Sequence, residues 1–419
     1  MTVSPLSSKL KALGVQIGAR EAPPPKPPKQ RRPHYTIEHV IAGRVITHGD
    51  GASCFVVETT YDLDHRHGEA ALHAPLPLTR VAQWARDARI AGCTRESLVF
   101  LDTETTGLAG GTGTLPFMIG VGRFVADQFR VAQFFMRDPT EEAATLTALT
   151  EWLAPCAMLV TFNGKAFDVP LVQARYILQR RDWPLSEIAH LDLLMLARRL
   201  WRDRLASRAL GALERDILGA VRTHDDVPGW LIPLMYLEYL KTGDARPLKG
   251  VFYHNAMDIV ALAALLGYMT QLLENPLSDA VQHPIDYVSL GKIYEGMGEY
   301  ELAAQAYERG MADRLPNNVF NNAMQRLAYL RRKQGHFEQT LELWREAAKR
   351  GELYAYIALA KHYEHHARDY AEAERLTCEA LALAQSKKFS GRERQRYLTE
   401  LEHRLERVRR KRLAVSSER

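Results

Sequence analysis

Hydrophobic positions change their rhythm along the chain. Between about residues 98 and 275, short apolar runs alternate with stretches of helical periodicity. Ser97–Leu101, Phe117–Val125 and Gln128–Phe135 read as strands, the last two joined by a tight Ala126-Asp127 turn. Three consecutive strands with short connections predict an antiparallel meander. Glu141–Leu153 then places Leu146, Leu149 and Leu153 on one face, as an amphipathic helix does. Ala157–Phe162 reads as a further strand and Val169–Arg180 as a further helix. Strands, helix, strand, helix predicts a mixed sheet covered by helices, an α/β domain over residues 95–275.

Upstream the pattern is weaker. Tyr35-Thr-Ile, Gly43–Thr47 and Cys54–Tyr61 look β-like, and Gly49-Asp50-Gly51 predicts a hairpin between the last two. Residues 35–94 are therefore expected to form a small β-containing extension. Before it, residues 22–33 read APPPKPPKQRRP. Proline this dense reads as an extended linker, so 1–34 is expected to be a disordered, basic tail. Asp62-Leu-Asp64-His65-Arg-His67-Gly68 holds metal-ligand residue types, but at no standard zinc spacing, and reads as a polar loop.

Downstream, residues 284–412 look wholly helical and repetitive. Tyr300, Phe337 and Tyr370 each follow a Gly- or Asp-led turn, 37 and 33 residues apart. That brackets the ~34-residue period of tetratricopeptide repeats, which predicts an all-α repeat domain with a possible protein partner in its groove. Lys387–Arg412 closes the region with eleven Lys/Arg against four Glu, a helix with a basic face.

Composition narrows the class only a little. Apolar residues are 46% and charged residues 25%, as in an ordinary globular protein. The net charge of +5 permits a nucleic-acid partner without demanding one. The four cysteines are far apart and form no CxxC pair, which fits a reducing compartment. The N-terminus lacks a signal-peptide pattern, and the most apolar run, Ile259–Met269, is too short to span a bilayer. A cytoplasmic protein with no membrane association is expected.

The chemistry concentrates in Leu98-Val-Phe-Leu-Asp102-Thr-Glu104-Thr-Thr-Gly107. An apolar strand ends in two acids spaced i, i+2, which point to one face. Two carboxylates side by side repel, and a hard divalent cation such as Mg²⁺ or Mn²⁺ offsets that repulsion. The glycine-rich Gly107–Gly113 segment lacks GKS/T and leads into a strand, which argues against a nucleotide phosphate loop.

This D-x-E strand followed by T-x-G resembles the first motif of the DEDD 3′–5′ exonucleases. Phe162-Asn163-Gly-Lys-Ala-Phe167-Asp168 resembles their second motif, and Tyr253-His254-Asn-Ala-Met-Asp258 their third. The glycine-rich segment, His190-Leu-Asp192-Leu and Asp226-Val-Pro-Gly229 are similar to the YprB-type RNase H-like branch in particular. The resemblance covers about residues 95–270. It implies an RNase H-like mixed sheet and hydrolysis of phosphodiester bonds in DNA or RNA. It also implies two Mg²⁺ or Mn²⁺ ions held by Asp102, Glu104, Asp168 and Asp258. Thr105, Gly107, Leu108 and Asn163 would line the terminal nucleotide.

The third motif departs from both usual patterns, because Tyr253 and His254 exchange places. His254 shares a helix face with Asp258 and is the expected general base, with Tyr253 the alternative. Asp192 is a further acid, expected to cap a helix. Three readings follow: a 3′–5′ exonuclease on single strands with DNA ahead of RNA, a structure-selective endonuclease using the same acids, and a non-catalytic scaffold that binds through its repeats.

Overall fold

The structure is a computed structural model that describes residues 35–49, 51–72, 78–107, 113–386 and 390–417. The Pro-rich tail over 1–34 and Leu108 lie outside the described residues. Seven strands form the central sheet: β1 (Arg44–Thr47), β2 (Ser53–Asp62), β5 (Leu98–Thr105), β6 (Pro116–Val125), β7 (Gln128–Phe135), β8 (Met158–Thr161) and β9 (Ala189–Asp192). Two short strands, β3 (Arg66–His67) and β4 (Ala70–Ala71), pair apart from it. The sheet order is β1-β2-β7-β6-β5-β8-β9. The hairpin and the meander are antiparallel, whereas β5, β8 and β9 run parallel. The β1–β2 hairpin thus joins the meander through β2 and β7 and extends one sheet. Tyr35-Thr-Ile, expected as a strand, instead leads into a single helical turn, α1 (Ile37–Val40), with Thr36 Oγ1 on His39 Nδ1 at 2.8 Å and Ile37 buried.

Alternation along β5 sends its residues to two cores. Val99 and Leu101 pack with α3 (Glu142–Leu153) and α4 (Asp168–Leu178), where Leu146, Leu149, Trp152, Val172 and Tyr176 are buried. Leu98 and Phe100 face the opposite side, onto α8 (Leu248–Glu274). The apolar run Ile259–Met269 belongs to this 27-residue helix. By length and composition alone α8 could cross a membrane, yet most of it is buried against the sheet, as a core helix is. Helices α2 (Thr79–Ala85), α5 (Leu193–Trp201), α6 (Leu210–Leu213) and α7 (Ile232–Thr242) complete this part.

From Pro284 onward the described chain is helical. It forms hairpins α9–α10 (Pro284–Met297, Tyr300–Met311), α11–α12 (Asn317–Lys333, Phe337–Lys349) and α13–α14 (Leu353–His362, Tyr370–Gln385), then α15 (Gly391–Ser417). Tyr300, Phe337 and Tyr370 each open the second helix of a hairpin, and Phe337 is exposed. Tyr287, Val288, Leu290 and Tyr294 of α9 share a continuous core with Leu265, Leu266 and Met269 of α8.

Candidate active site

Strand β5 builds the first part of the site. Asp102 and Glu104 follow Leu98 and Phe100 on the α8 side, at the point where pairing with β6 becomes irregular between Glu104 and Thr105. Thr103 points the other way and donates to Asp168 Oδ1 at 2.5 Å. Asp168 opens α4, after the loop that leaves β8. That loop is held by the buried Asp192, whose carboxylate accepts from the amides of Asn163 (2.8 Å) and Lys165 (3.2 Å). Asp192 also caps α5 by accepting from Leu194 N at 3.1 Å. Asn163 adopts a left-handed φ of 64°, a conformation asparagine tolerates.

Helix α8 brings the second part. Asn255, fully buried, donates through Nδ2 to Asp102 Oδ2 at 3.0 Å. Its Oδ1 accepts from Gln133 Nε2 at 3.1 Å, and Gln133 also donates to Phe252 O. This orientation requires α8 to lie close to β6. Gly120 and Gly122 permit it, because a methyl group at Gly120 would overlap Asn255 Oδ1 and one at Gly122 would overlap Ile259. One helical turn beyond His254 lies Asp258, with His254 Nε2 3.6 Å from Asp258 Oδ2. Ligand atoms of Glu104, His254 and Asp258 all lie within 4.8 Å of one another. Asp102 and Asp168 stand outside that tight group but close enough to act on it electrostatically.

The four carboxyls perturb one another strongly. Desolvation, then the charges of Asp258 and Asp168, push Asp102 and Glu104 well above the usual carboxylate range. Desolvation also raises Asp168, against the Thr103 hydrogen bond. It raises Asp258, against the opposing charge of Arg222. His254 Nδ1 meets Asp226 Oδ1 at 2.8 Å. Nδ1 also lies 3.4 Å from Arg222 Nη1; in the tautomer that donates Nδ1–H to Asp226, Nε2 carries the lone pair on the acid side. Gly229 lies against the imidazole: a methyl there would be 3.7 Å from Nε2.

Sequence reasoning missed a buried polar chain behind the acids. Arg222 Nη2 bonds both Asp258 Oδ1 and Glu214 Oε2. Glu214, itself buried, accepts from His67 Nε2 at 2.9 Å. Burial opposes the charge on Arg222, but Asp258 and Glu214 keep it protonated. His67, expected in a polar loop, lies on β3, and its partner lies 147 residues away. Arg222 and Glu214 carry no local motif, so only the fold identifies them. Asn255 and Gln133 had one usable signal, the pair of glycines within a strand.

Of the remaining expected residues, Thr105 Oγ1 donates to Gly107 O at 2.7 Å, and both residues are half-buried beside the first acids. Leu108 lies outside the described residues. Phe162 and Asn163 border a groove shared with Leu194, Arg198 and Arg208. The alternative base, Tyr253, accepts from Thr223 N at 3.0 Å and so anchors the segment that carries Arg222 and Asp226.

Two comparisons bear on this geometry. A protein-family model described as the RNase H superfamily matches residues 99–270, the span that contains all four acids and His254. The uncharacterized protein YprB of Bacillus subtilis (strain 168) is 32% identical over 337 residues, which is 78% of this chain and 80% of YprB.

Proposed function

The chain belongs to the RNase H superfamily, in the family of YprB, and on that premise we propose that it is a metal-dependent 3′–5′ exonuclease on single-stranded nucleic acid. The observation that carries this reading is the convergence of four carboxyls from three elements, each lifted by desolvation above its ordinary range. Among the described residues, one guanidinium, that of Arg222, bonds Asp258. A single guanidinium leaves most of that negative charge uncompensated, and hard oxygen donors suit Mg²⁺ or Mn²⁺. Asp102, Glu104, Asp168 and Asp258 would hold the ions. Bound there, two such ions would polarise the phosphodiester and lower the pKa of water.

The chain's own residues supply the rest. His254 offers Nε2 as the proton acceptor for an attacking water, and Asp226 stabilises the imidazolium that results. Asn255 and Thr103 orient Asp102 and Asp168, so the carboxylates cannot rotate out of register. The Asp192-held loop presents Asn163 and Lys165 to the strand being cut. The DEDD resemblance makes DNA the first substrate to test.

The test is cleavage of 5′-labelled single-stranded DNA and RNA in Mg²⁺, Mn²⁺ or EDTA, beside Asp102→Ala/Glu104→Ala. A metal-dependent ladder shortening from the 3′ end, absent in the variant, is expected. Discrete internal cuts would replace the exonuclease with an endonuclease on the same acids. No cleavage of single strands, duplexes or flaps would refute a nuclease.

A further inference from the structure

A cleft of about 1380 Å³ lies where α2 and α5 of the sheet part meet α9 and α11 of the helical part. Its walls carry Arg86, Lys165, Arg198, Arg199, Arg202 and Arg208, together with Lys292 and Arg326, against Asp192 and Asp203. Asp203 is paired with Lys292 at 2.6 Å and Asp192 is consumed by backbone amides. Arg326 is paired with Glu295. All five of Arg86, Lys165, Arg198, Arg199 and Arg202 are exposed; Lys165 acts on Asp87 electrostatically, and among the described residues the other four form no ion pair.

Helix α5 makes this charge directional. Leu193, Leu196, Ala197, Leu200 and Trp201 are buried in the core, so Met195, Arg198, Arg199 and Arg202 fall in one outward stripe. Like charges three and four residues apart weaken a helix, and no acid on α5 relieves them. The cleft also reaches the loop that leads into Asp168. Lys165 lies three residues before Asp168. Arg198 and Arg208 line both this cleft and the adjoining groove of about 460 Å³ beneath Phe162 and Asn163. The lining offers cations and little aromatic surface, which suits a phosphodiester backbone read without regard to base.

We propose that this cleft binds the phosphodiester backbone of the single strand whose end lies at the acid site, and that the Arg198/Arg199/Arg202 stripe is its principal contact. The identity of the ligand rests on the nuclease reading; the cation arrangement does not. The strand would leave the acids past Asn163 and Lys165 and run along α5 towards the helical part, which would make that part a wall of the binding channel.

Binding in EDTA tests the cleft without needing catalysis. The full chain would be titrated with fluorescein-labelled oligothymidylate by anisotropy across a salt series. Arg198→Ala/Arg199→Ala/Arg202→Ala should weaken binding by roughly tenfold or more and flatten the log–log salt dependence by about 2, since each phosphate contact on a single strand contributes about 0.7. The matching triple Lys variant keeps the charges and should keep the slope. An alanine variant with unchanged affinity and slope would overturn the cleft, and so would a lysine variant that loses as much slope as the alanine one, or a wild-type chain that binds no oligonucleotide. Tighter binding of a blunt duplex would overturn the single-strand assignment. A wild type that binds through the stripe yet cleaves nothing would leave the cleft standing and remove the nuclease.

Discussion

Asp102 and Glu104 share one face of β5, and without a cation each carboxylate is costly to ionise. An acid whose folded pKa is raised holds its proton more tightly in the folded state. Its destabilising effect therefore grows as pH climbs from the ordinary carboxylate range, about 4, towards the raised value. In EDTA, Asp102→Asn/Glu104→Gln should melt a few °C above the wild type, with a gap that widens as pH rises above the ordinary carboxylate range. Mn²⁺ should stabilise the wild type and not the variant, and more at higher pH, because binding displaces protons. A gap that is constant with pH would refute the mutual repulsion. Arg222 illustrates the opposite case. Arg222→Met leaves Glu214 and Asp258 without their shared cation and should cost about 3 kcal/mol or more in denaturant unfolding. Adding Glu214→Gln should recover part of that loss in a double-mutant cycle.

Contacts between elements set how accurately those residues are held. Helix α8 approaches β6 only because Gly120 and Gly122 lack side chains. Gly120→Ala should push Asn255 away from Asp102, lowering stability by about 1–3 kcal/mol. Nuclease activity should fall about 100-fold, as expected for displacement of a carboxylate by about 1 Å. Unchanged turnover with a lowered melting point would show that Asn255 is structural alone. At the other end of the chain, Glu364 fastens α15. It is buried, and accepts from Arg404 (2.7 Å), Arg407 (2.7 Å) and Lys411 (2.9 Å). Burial opposes its charge, but Arg407 and Lys411 hold its carboxyl down at about 2. A depressed acid stabilises fully above its unfolded value and loses that contribution as pH falls towards its folded one. Helix α15 should therefore loosen between about pH 4.5 and about pH 2. Glu364→Gln should speed amide exchange across Gly391–Ser417 already at neutral pH, and exchange identical to wild type would contradict that fastening.

The two parts of the molecule are not independent bodies joined by a linker. Tyr287, Val288, Leu290 and Tyr294 bury themselves against α8, and the Tyr294 hydroxyl bonds Leu273 O. Arg204–Asp286 (2.5 Å), Lys292–Asp203 (2.6 Å) and Arg80–Glu299 (2.7 Å) rim the same contact. A fragment ending at residue 275 would expose the apolar face of α8 and should aggregate or melt well below the full chain. Calorimetry of the full chain should show α9 unfolding with the sheet. A separate, earlier transition for the sheet with α9 intact would show that the shared core is weak.

The amino-acid sequence by itself determined what depends on neighbours along the chain. Period-2 alternation put Asp102 and Glu104 on one strand face, a loop-to-helix transition placed Asp168, a strand-to-helix junction placed the Asp192 cap, and helical spacing joined His254 to Asp258. It also marked the hairpin, the meander and the turn-led helical repeat. Tertiary structure alone decided which faces meet. It paired β2 with β7, sent Asn255 to Asp102 past two glycines, closed His67–Glu214–Arg222–Asp258 across 191 positions, and set a stripe of arginines opposite α9. Periodicity reports that a face is apolar or charged, because that follows from local geometry. The partner of that face is set by long-range packing, in which a buried ion finds a counter-charge wherever the folded chain can supply one.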